Sequence, residues 1–270
     1  MTETIRKCSE KHPLLFSLAV FGLVMPVTWG IITPWVERMP TVWGGTVKYT
    51  LSLLAVIGIC LAVYGRLPFT VGGKGFVRGL FGFGLLGLIC AVMAFLFSYQ
   101  TPVTLPSVGT VTGFTLYSLA IALSEEFLFR GLILSRLLYA WRDRRGFLWW
   151  SVTACSVLFG LRHLLNLIEK PYAPVFTVGQ VVFTFLAGFY LCAVYLRTEN
   201  LWVCVCIHFA EDFLTGFWAL FVSSAGRSDA SVGNMALLCA VHSVYVIFGV
   251  LMLRDKHFSY QPIDKGDGQL

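Results

Sequence analysis

The stretch "LSEEFLFRGLILSRLL", residues Leu123 to Leu138, sets two adjacent glutamates and an arginine in a segment that otherwise reads as a buried apolar helix. Its surroundings decide how it is read. Of the 270 residues, 57% are hydrophobic and 13% charged, and the mean hydropathy is +0.77; soluble domains carry about 25% charged residues. Crossing a hydrocarbon core of about 30 Å takes roughly 20 apolar helical residues, and runs of that length recur along nearly the whole chain. The composition predicts an all-α polytopic membrane protein, one integral membrane domain over residues 1–270 with no room for a separate soluble one. The two glutamates and the arginine are then predicted to lie within a membrane.

Eight spans are predicted: Leu14–Ile32, Tyr49–Gly65, Gly79–Tyr99, Val111–Tyr139, Phe147–Ile168, Val175–Leu196, Leu201–Val222 and Asn234–Leu253. Arg6, Lys7 and Lys11 precede the first as in a secretory signal, but the apolar run is too long and no small-residue cleavage site follows, so an uncleaved first helix is expected. Cytoplasmic loops carry the excess of Lys and Arg. With both termini inside, thirteen of the 20 basic residues, Lys74, Lys256 and Lys265 among them, fall on the inner side, and only Arg38, Lys48, Lys170 and Arg227 on the outer. This bias predicts cytoplasmic termini, and the opening "MTETIRK" with its short loops suggests a bacterial plasma membrane. Because the basic residues are scattered over separate loops, the net charge of +6 describes topology, and no nucleic-acid partner is expected.

Some signals that resemble chemistry are better read as packing. "GFGLLG", Gly82 to Gly87, fits a dinucleotide-binding pattern that has meaning only between a strand and a helix; inside a span, Gly79, Gly82, Gly84 and Gly87 are expected to allow close helix contact. Seven of the eight cysteines lie in spans without a C-x-x-C pair and read as small apolar residues. His12, His242 and His257 lack an acidic or histidine partner at helical spacing. Arg136 and Arg162, near span ends, are expected to extend toward the interface.

Ionisable residues at mid-membrane cost about 3 kcal/mol each on insertion scales, so they usually face the protein interior and mark functional paths. Three such clusters occur: Glu125, Glu126 and Arg130 in the fourth span, Arg162, His163 and Asn166 in the fifth, and His208, Glu211 and Asp212 in the seventh. At 3.6 residues per turn, Glu126 and Arg130 are spaced for an ion pair, while Glu125 points about 100° away toward another neighbour. Glu126 is thus expected to be held and Glu125 to be the working base. His208 and Asp212, four apart, share a side, as do His163 and Asn166, three apart.

These residues resemble a known family. Glu125-Glu126-x-x-x-Arg130, Phe159-x-x-x-His163 and His208-x-x-x-Asp212 match, in order, the motifs E-E-x-x-x-R, F-x-x-x-H and H-x-x-x-N/D of the CAAX protease and bacteriocin-processing (CPBP) family of glutamic intramembrane proteases, which includes the type II CAAX prenyl endopeptidases. "LFGLRHLLN" and "AGFYLCAVYLRTENLWVCVCIHF" are similar to the family's phrasing, and the resemblance spans about Tyr117 to Thr215, a catalytic core within the single domain. It implies an intramembrane endopeptidase without cofactor or metal, acting on a membrane-associated protein or peptide, prenylated or not. Glu125 and His163 would activate water, His208 and Asp212 would stabilise the oxyanion, and Glu126, Arg130 and Asn166 would support them. Prenyl-endopeptidase members have asparagine where this chain has Asp212. An ionised aspartate accepts but does not donate, so Asp212 either carries a proton or orients His208.

Rival readings differ in what they require. Polar residues serving only to tie helices together gain about 0.6 kcal/mol per hydrogen bond, too little to offset this many ionisable groups in one layer. A zinc-dependent membrane metalloprotease could use two histidines and a glutamate, but its glutamate would sit in H-E-x-x-H. A transporter would show internal repeats and interrupted helices, and no repeat is visible. A non-proteolytic scaffold or immunity-type partner-binding protein would have no need to keep Glu125, His163 and His208 together.

Overall fold

Local end signals delimit several of the helices. Pro13 and Pro174 occupy first-turn positions, where a missing N–H costs nothing. The Ser107 hydroxyl and the Asn200 side chain accept the backbone N–H groups of Thr110 and Trp202, and Gly65 ends its helix in the left-handed conformation. The computed structural model describes residues 2–72, 75–169, 173–222 and 231–254. Lys74, Lys170, Arg227, Lys256 and Lys265, which enter the orientation reading, and His257 lie outside the described residues.

The elements are α1 (Thr2–Lys11), α2 (Pro13–Val36), α3 (Thr41–Tyr64), a short helical piece Phe76–Phe83 that bends by 62° into α4 (Leu85–Phe97), and α5 (Val108–Glu126). α5 continues without a turn through a π-helical stretch, Phe127–Leu134, into α6 (Ser135–Trp141). Then follow α7 (Phe147–Arg162), whose end tightens into a 3₁₀ turn at His163–Leu165, α8 (Pro174–Thr198), α9 (Leu201–Gly216) and α10 (Val232–Arg254). No strand occurs among the described residues. Large apolar side chains such as Leu96, Phe97, Leu237, Ile247 and Leu251 face outward, as a lipid-contacting surface requires. The chain is an all-α polytopic membrane protein.

Among the described residues five helices, Thr41–Tyr64, Phe147–Ile168, Pro174–Thr198, Leu201–Phe221 and Val232–Arg254, are long and apolar enough to cross a membrane, and the bent pair makes six if it counts as one span. The other two predicted spans, Leu14–Ile32 and Val111–Tyr139, are helical but not among them; the second carries four charged side chains.

The quoted stretch is the axis of the bundle. Leu128, Phe129, Leu132, Ile133, Leu134, Leu137 and Leu138 are all fully buried; Glu125, Glu126 and Arg130 in the same stretch must face protein rather than lipid, and this places the helix at the centre. α5 packs between α3 and α9, α8 packs between α7 and α10, and α9 also lies on α4. A two-residue turn makes the α8–α9 corner tight, with Glu199 in the left-handed region at φ 48°. Arg136, expected to extend outward, is buried: α1 covers it, with Glu10 at 3.6 Å and the Tyr64 and Tyr139 rings at 4.7 and 4.8 Å. A long stem can be enclosed once another helix brings it a carboxylate and aromatic faces.

The glycine-rich stretch does pack closely, but not at every glycine, and it also breaks the helix. A Cβ on Gly87 would fall 2.4 Å from Ile207 Cγ2 and one on Gly84 2.8 Å from Ile207 Cδ1, whereas one on Gly82 would meet nothing within 4 Å. At the break, the Tyr190 hydroxyl donates to the Phe83 carbonyl at 2.7 Å and accepts the Gly87 N–H at 3.2 Å. An exposed helical glycine gains about 0.5–1 kcal/mol on replacement by alanine, and forcing a methyl into a packed site costs about 1–3 kcal/mol. Thermal unfolding in detergent is therefore expected to show Gly87→Ala destabilised and Gly82→Ala at or above the wild-type midpoint.

Candidate active site

The centre is built from the two glutamates outward. Adjacent residues on a helix diverge, and Glu125 and Glu126 face different partners although both are buried. Glu126 Oε1 receives Arg130 Nη1 at 2.7 Å, so the predicted ion pair is present, closing across the junction from α to π helix. The same oxygen lies 2.7 Å from His208 Nδ1 on α9. A carboxylate oxygen accepts, so Nδ1 carries the proton and Nε2 is the nitrogen turned to the centre. Arg130 in turn donates to the Gly188 carbonyl of α8 at 3.4 Å and lies 4.3 Å over the Phe159 ring of α7.

Glu125 faces the other way. Arg162 Nη2 lies 2.8 Å from its Oε1, and the same nitrogen donates to the Tyr49 hydroxyl of α3 at 2.6 Å. Although this contact is close, it falls off the hydrogen-bonding direction: neither Glu125 oxygen accepts a hydrogen bond. His208 Nε2 stands 3.9 Å from Glu125 Oε2 and 3.6 Å from Asp212 Oδ2. Asp212 is the more open of these acids, its side chain 36% exposed.

His163 and His208 both stand edge-on to the Phe159 ring, at 5.7 and 5.9 Å between centroids. One aromatic side chain thereby sets the attitude of both imidazoles. His163 is buried, and neither ring nitrogen has a hydrogen-bond partner. No hydrogen bond joins it to Glu125, so any water used by both would have to bridge them. Tyr49 and Tyr117 also line a cavity of about 200 Å³ with Val36, Glu37, Met39 and Lys48. The Tyr49 end of this polar chain therefore borders open space, while the Glu126 end is sealed.

Three sequence expectations change here. Arg162 does not extend to the interface but is 3% exposed and paired with Glu125. Asn166 does not bond His163, although a 3₁₀ turn eclipses residues three apart: it donates to Gln180 Oε1 at 2.8 Å. Glu211, grouped by the sequence with His208 and Asp212, has a partner of its own, accepting a hydrogen bond from the Tyr245 hydroxyl of α10. The position of Arg162 beside His163 was a usable signal; the partnership with Tyr49, 113 residues away, had none. Among the described residues no group of three or more His, Cys, Asp or Glu is arranged to hold a metal ion.

Removing one partner of a buried pair leaves an uncompensated charge, which costs about 3–5 kcal/mol. Arg130→Met is therefore expected to lose most folded protein, measured as monodisperse material after detergent extraction, whereas Arg136→Met, whose partner Glu10 is 39% exposed, is expected to lose much less.

Residues 107–214 match the family model "Type II CAAX prenyl endopeptidase Rce1-like". All three motifs fall within that segment. No curated protein and no solved structure matches the chain. The match supports a CAAX-type intramembrane protease in general terms. Residues 107–214 are thus similar to the type II CAAX prenyl endopeptidase Rce1-like family, which is consistent with a CPBP family protein.

Proposed function

We propose that the protein hydrolyses a peptide bond of a membrane-associated protein or peptide, near its end, with Glu125 as general base. The observation that carries this reading is the unused hydrogen-bonding capacity of two buried groups: neither oxygen of Glu125, although Arg162 compensates its charge, and neither nitrogen of His163 makes a hydrogen bond to the protein. Buried polar atoms are almost always satisfied, and a hydrolytic centre is where exceptions are expected, because these atoms must bind water and a peptide carbonyl during turnover.

In the proposed step, Glu125 takes a proton from a water that it and His163 hold, the resulting hydroxide adds to the carbonyl carbon, and as the tetrahedral intermediate collapses with cleavage of the C–N bond the proton passes from Glu125 to the leaving amine. His208, fixed by Glu126 at Nδ1, donates from Nε2 to the oxyanion, which requires the doubly protonated ring. Asp212, at 3.6 Å from Nε2, either orients that ring or donates as a neutral acid. Glu126 and Arg130 hold the two helices in register. The catalytic core is assigned to residues 117–215 of one membrane domain spanning 1–270, with both termini cytoplasmic and a bacterial plasma membrane as the setting.

Three experiments test the reading. Mass-spectrometric comparison of membrane-protein termini in cells carrying wild type or Glu125→Ala at equal expression is expected to reveal termini that depend on Glu125; matching profiles would favour the scaffold alternative. Asp212→Asn restores a donor and is expected to keep activity within about tenfold of wild type, while Asp212→Ala, which removes the group, is expected to lose about 10²-fold or more in kcat. Activity of the wild type is expected to be unaffected by a strong chelator; loss reversed by zinc would overturn the metal-free mechanism.

A further inference from the structure

Two buried carboxylates stand side by side, and each has its own guanidinium, but the two contacts differ in kind. Glu126 accepts a hydrogen bond from Arg130 at 2.7 Å on its own helical run, and its Oε1 is also taken by His208. That carboxylate is engaged from two sides. Glu125 has Arg162 at 2.8 Å from a different helix, yet its oxygens accept no hydrogen bond. Charge is compensated there while the lone pairs stay available.

The rest of Arg162's setting suits that arrangement. The Nη2 that lies against Glu125 donates to the Tyr49 hydroxyl at 2.6 Å, so α3 anchors the guanidinium and limits how far it can swing over the carboxylate. An unanchored arginine would settle into the two-pronged geometry it prefers with carboxylates, occupying both oxygens. The switch from α to 3₁₀ winding at the end of α7 matters as well. It lets the consecutive residues Arg162 and His163 both stay buried, one against Glu125 and the other against Phe159.

We propose that Arg162, anchored by Tyr49, is a positioning residue for hydrolysis: it holds Glu125 charged and aimed at the centre while leaving both carboxylate oxygens to the attacking water. The inference rests on the proposed function, with Glu125 as base. A purely structural tie between α3, α5 and α7 would instead affect the yield of folded protein and leave the turnover of each folded molecule unchanged.

The test uses the full chain in lipid nanodiscs and, as probe, an internally quenched farnesylated peptide ending in a CAAX sequence, with Glu125→Gln as the control. Arg162→Gln is expected to lower kcat about 100-fold with KM within about threefold, the size of loss that misplacing a catalytic group by an ångström produces. Arg162→Lys, which keeps the charge, is expected to recover about tenfold of that loss, and Tyr49→Phe to lower kcat about 3–10-fold at unchanged KM. Thermal unfolding of each variant separates folding from turnover. If Arg162→Gln does not fold, Tyr49→Phe carries the test. Glu125-dependent cleavage with wild-type kcat in folded Arg162→Gln, or in Tyr49→Phe where that variant carries the test, overturns the inference alone. A wild-type protein that cleaves the peptide no faster than Glu125→Gln and also yields no Glu125-dependent termini among membrane proteins overturns the proposed function and the inference with it.

Discussion

The Glu126 carboxylate, shared between Arg130 and His208 inside a shell of apolar side chains, is the interaction on which the rest of the centre depends. In a hydrocarbon-thick interior there is no water to compensate a charge, so this oxygen must find partners from the protein itself, and it finds them on two helices. Arg130 then reaches a third helix through the Gly188 carbonyl and a fourth through the Phe159 ring. One buried charge thereby fixes the relative placement of α5, α7, α8 and α9 more tightly than leucine packing, which has little angular preference, could do.

The centre divides into a satisfied half and an available half. Glu126 and Arg130 each leave one atom unbonded but are tied to each other and to neighbouring helices through the rest, while no side-chain oxygen of Glu125 and no ring nitrogen of His163 makes a hydrogen bond to the protein. The second condition is unstable by itself and persists because the first surrounds it: Phe159 lies under Arg130 and carries both imidazoles edge-on. A local deficit supported by a rigid surround is what preorganised hydrolysis needs. The same separation of roles explains why two adjacent glutamates occur, since their side chains diverge and one residue cannot serve both ends.

The broken helix at Gly84 bears on the transporter alternative, which required interrupted helices. An interruption is present, but its freed backbone groups are taken up by Tyr190, and the ring of Tyr190 stacks on Tyr245 at 4.8 Å, whose hydroxyl bonds Glu211. The bend is therefore closed by the protein's own side chains, with the polar chain directed into α9 and α10 rather than toward a lined path.

Much of this was legible in the chain alone. Composition and the length of the apolar runs determined an all-α membrane protein, and the spacing of Glu126 and Arg130 determined their pairing, because contacts within one helix follow from its pitch. The three polar clusters also announced themselves, since charge inside an apolar run is costly wherever the run packs. What only the tertiary structure decided were contacts between helices. The burial of Arg136 under α1, the departure of Asn166 to Gln180 and of Glu211 to Tyr245, and above all the Tyr49–Arg162–Glu125 chain depend on which faces meet. A periodic pattern says which way a side chain leaves its own axis, but the partner it meets is set by how neighbouring helices rotate and bend, and the local sequence does not encode that.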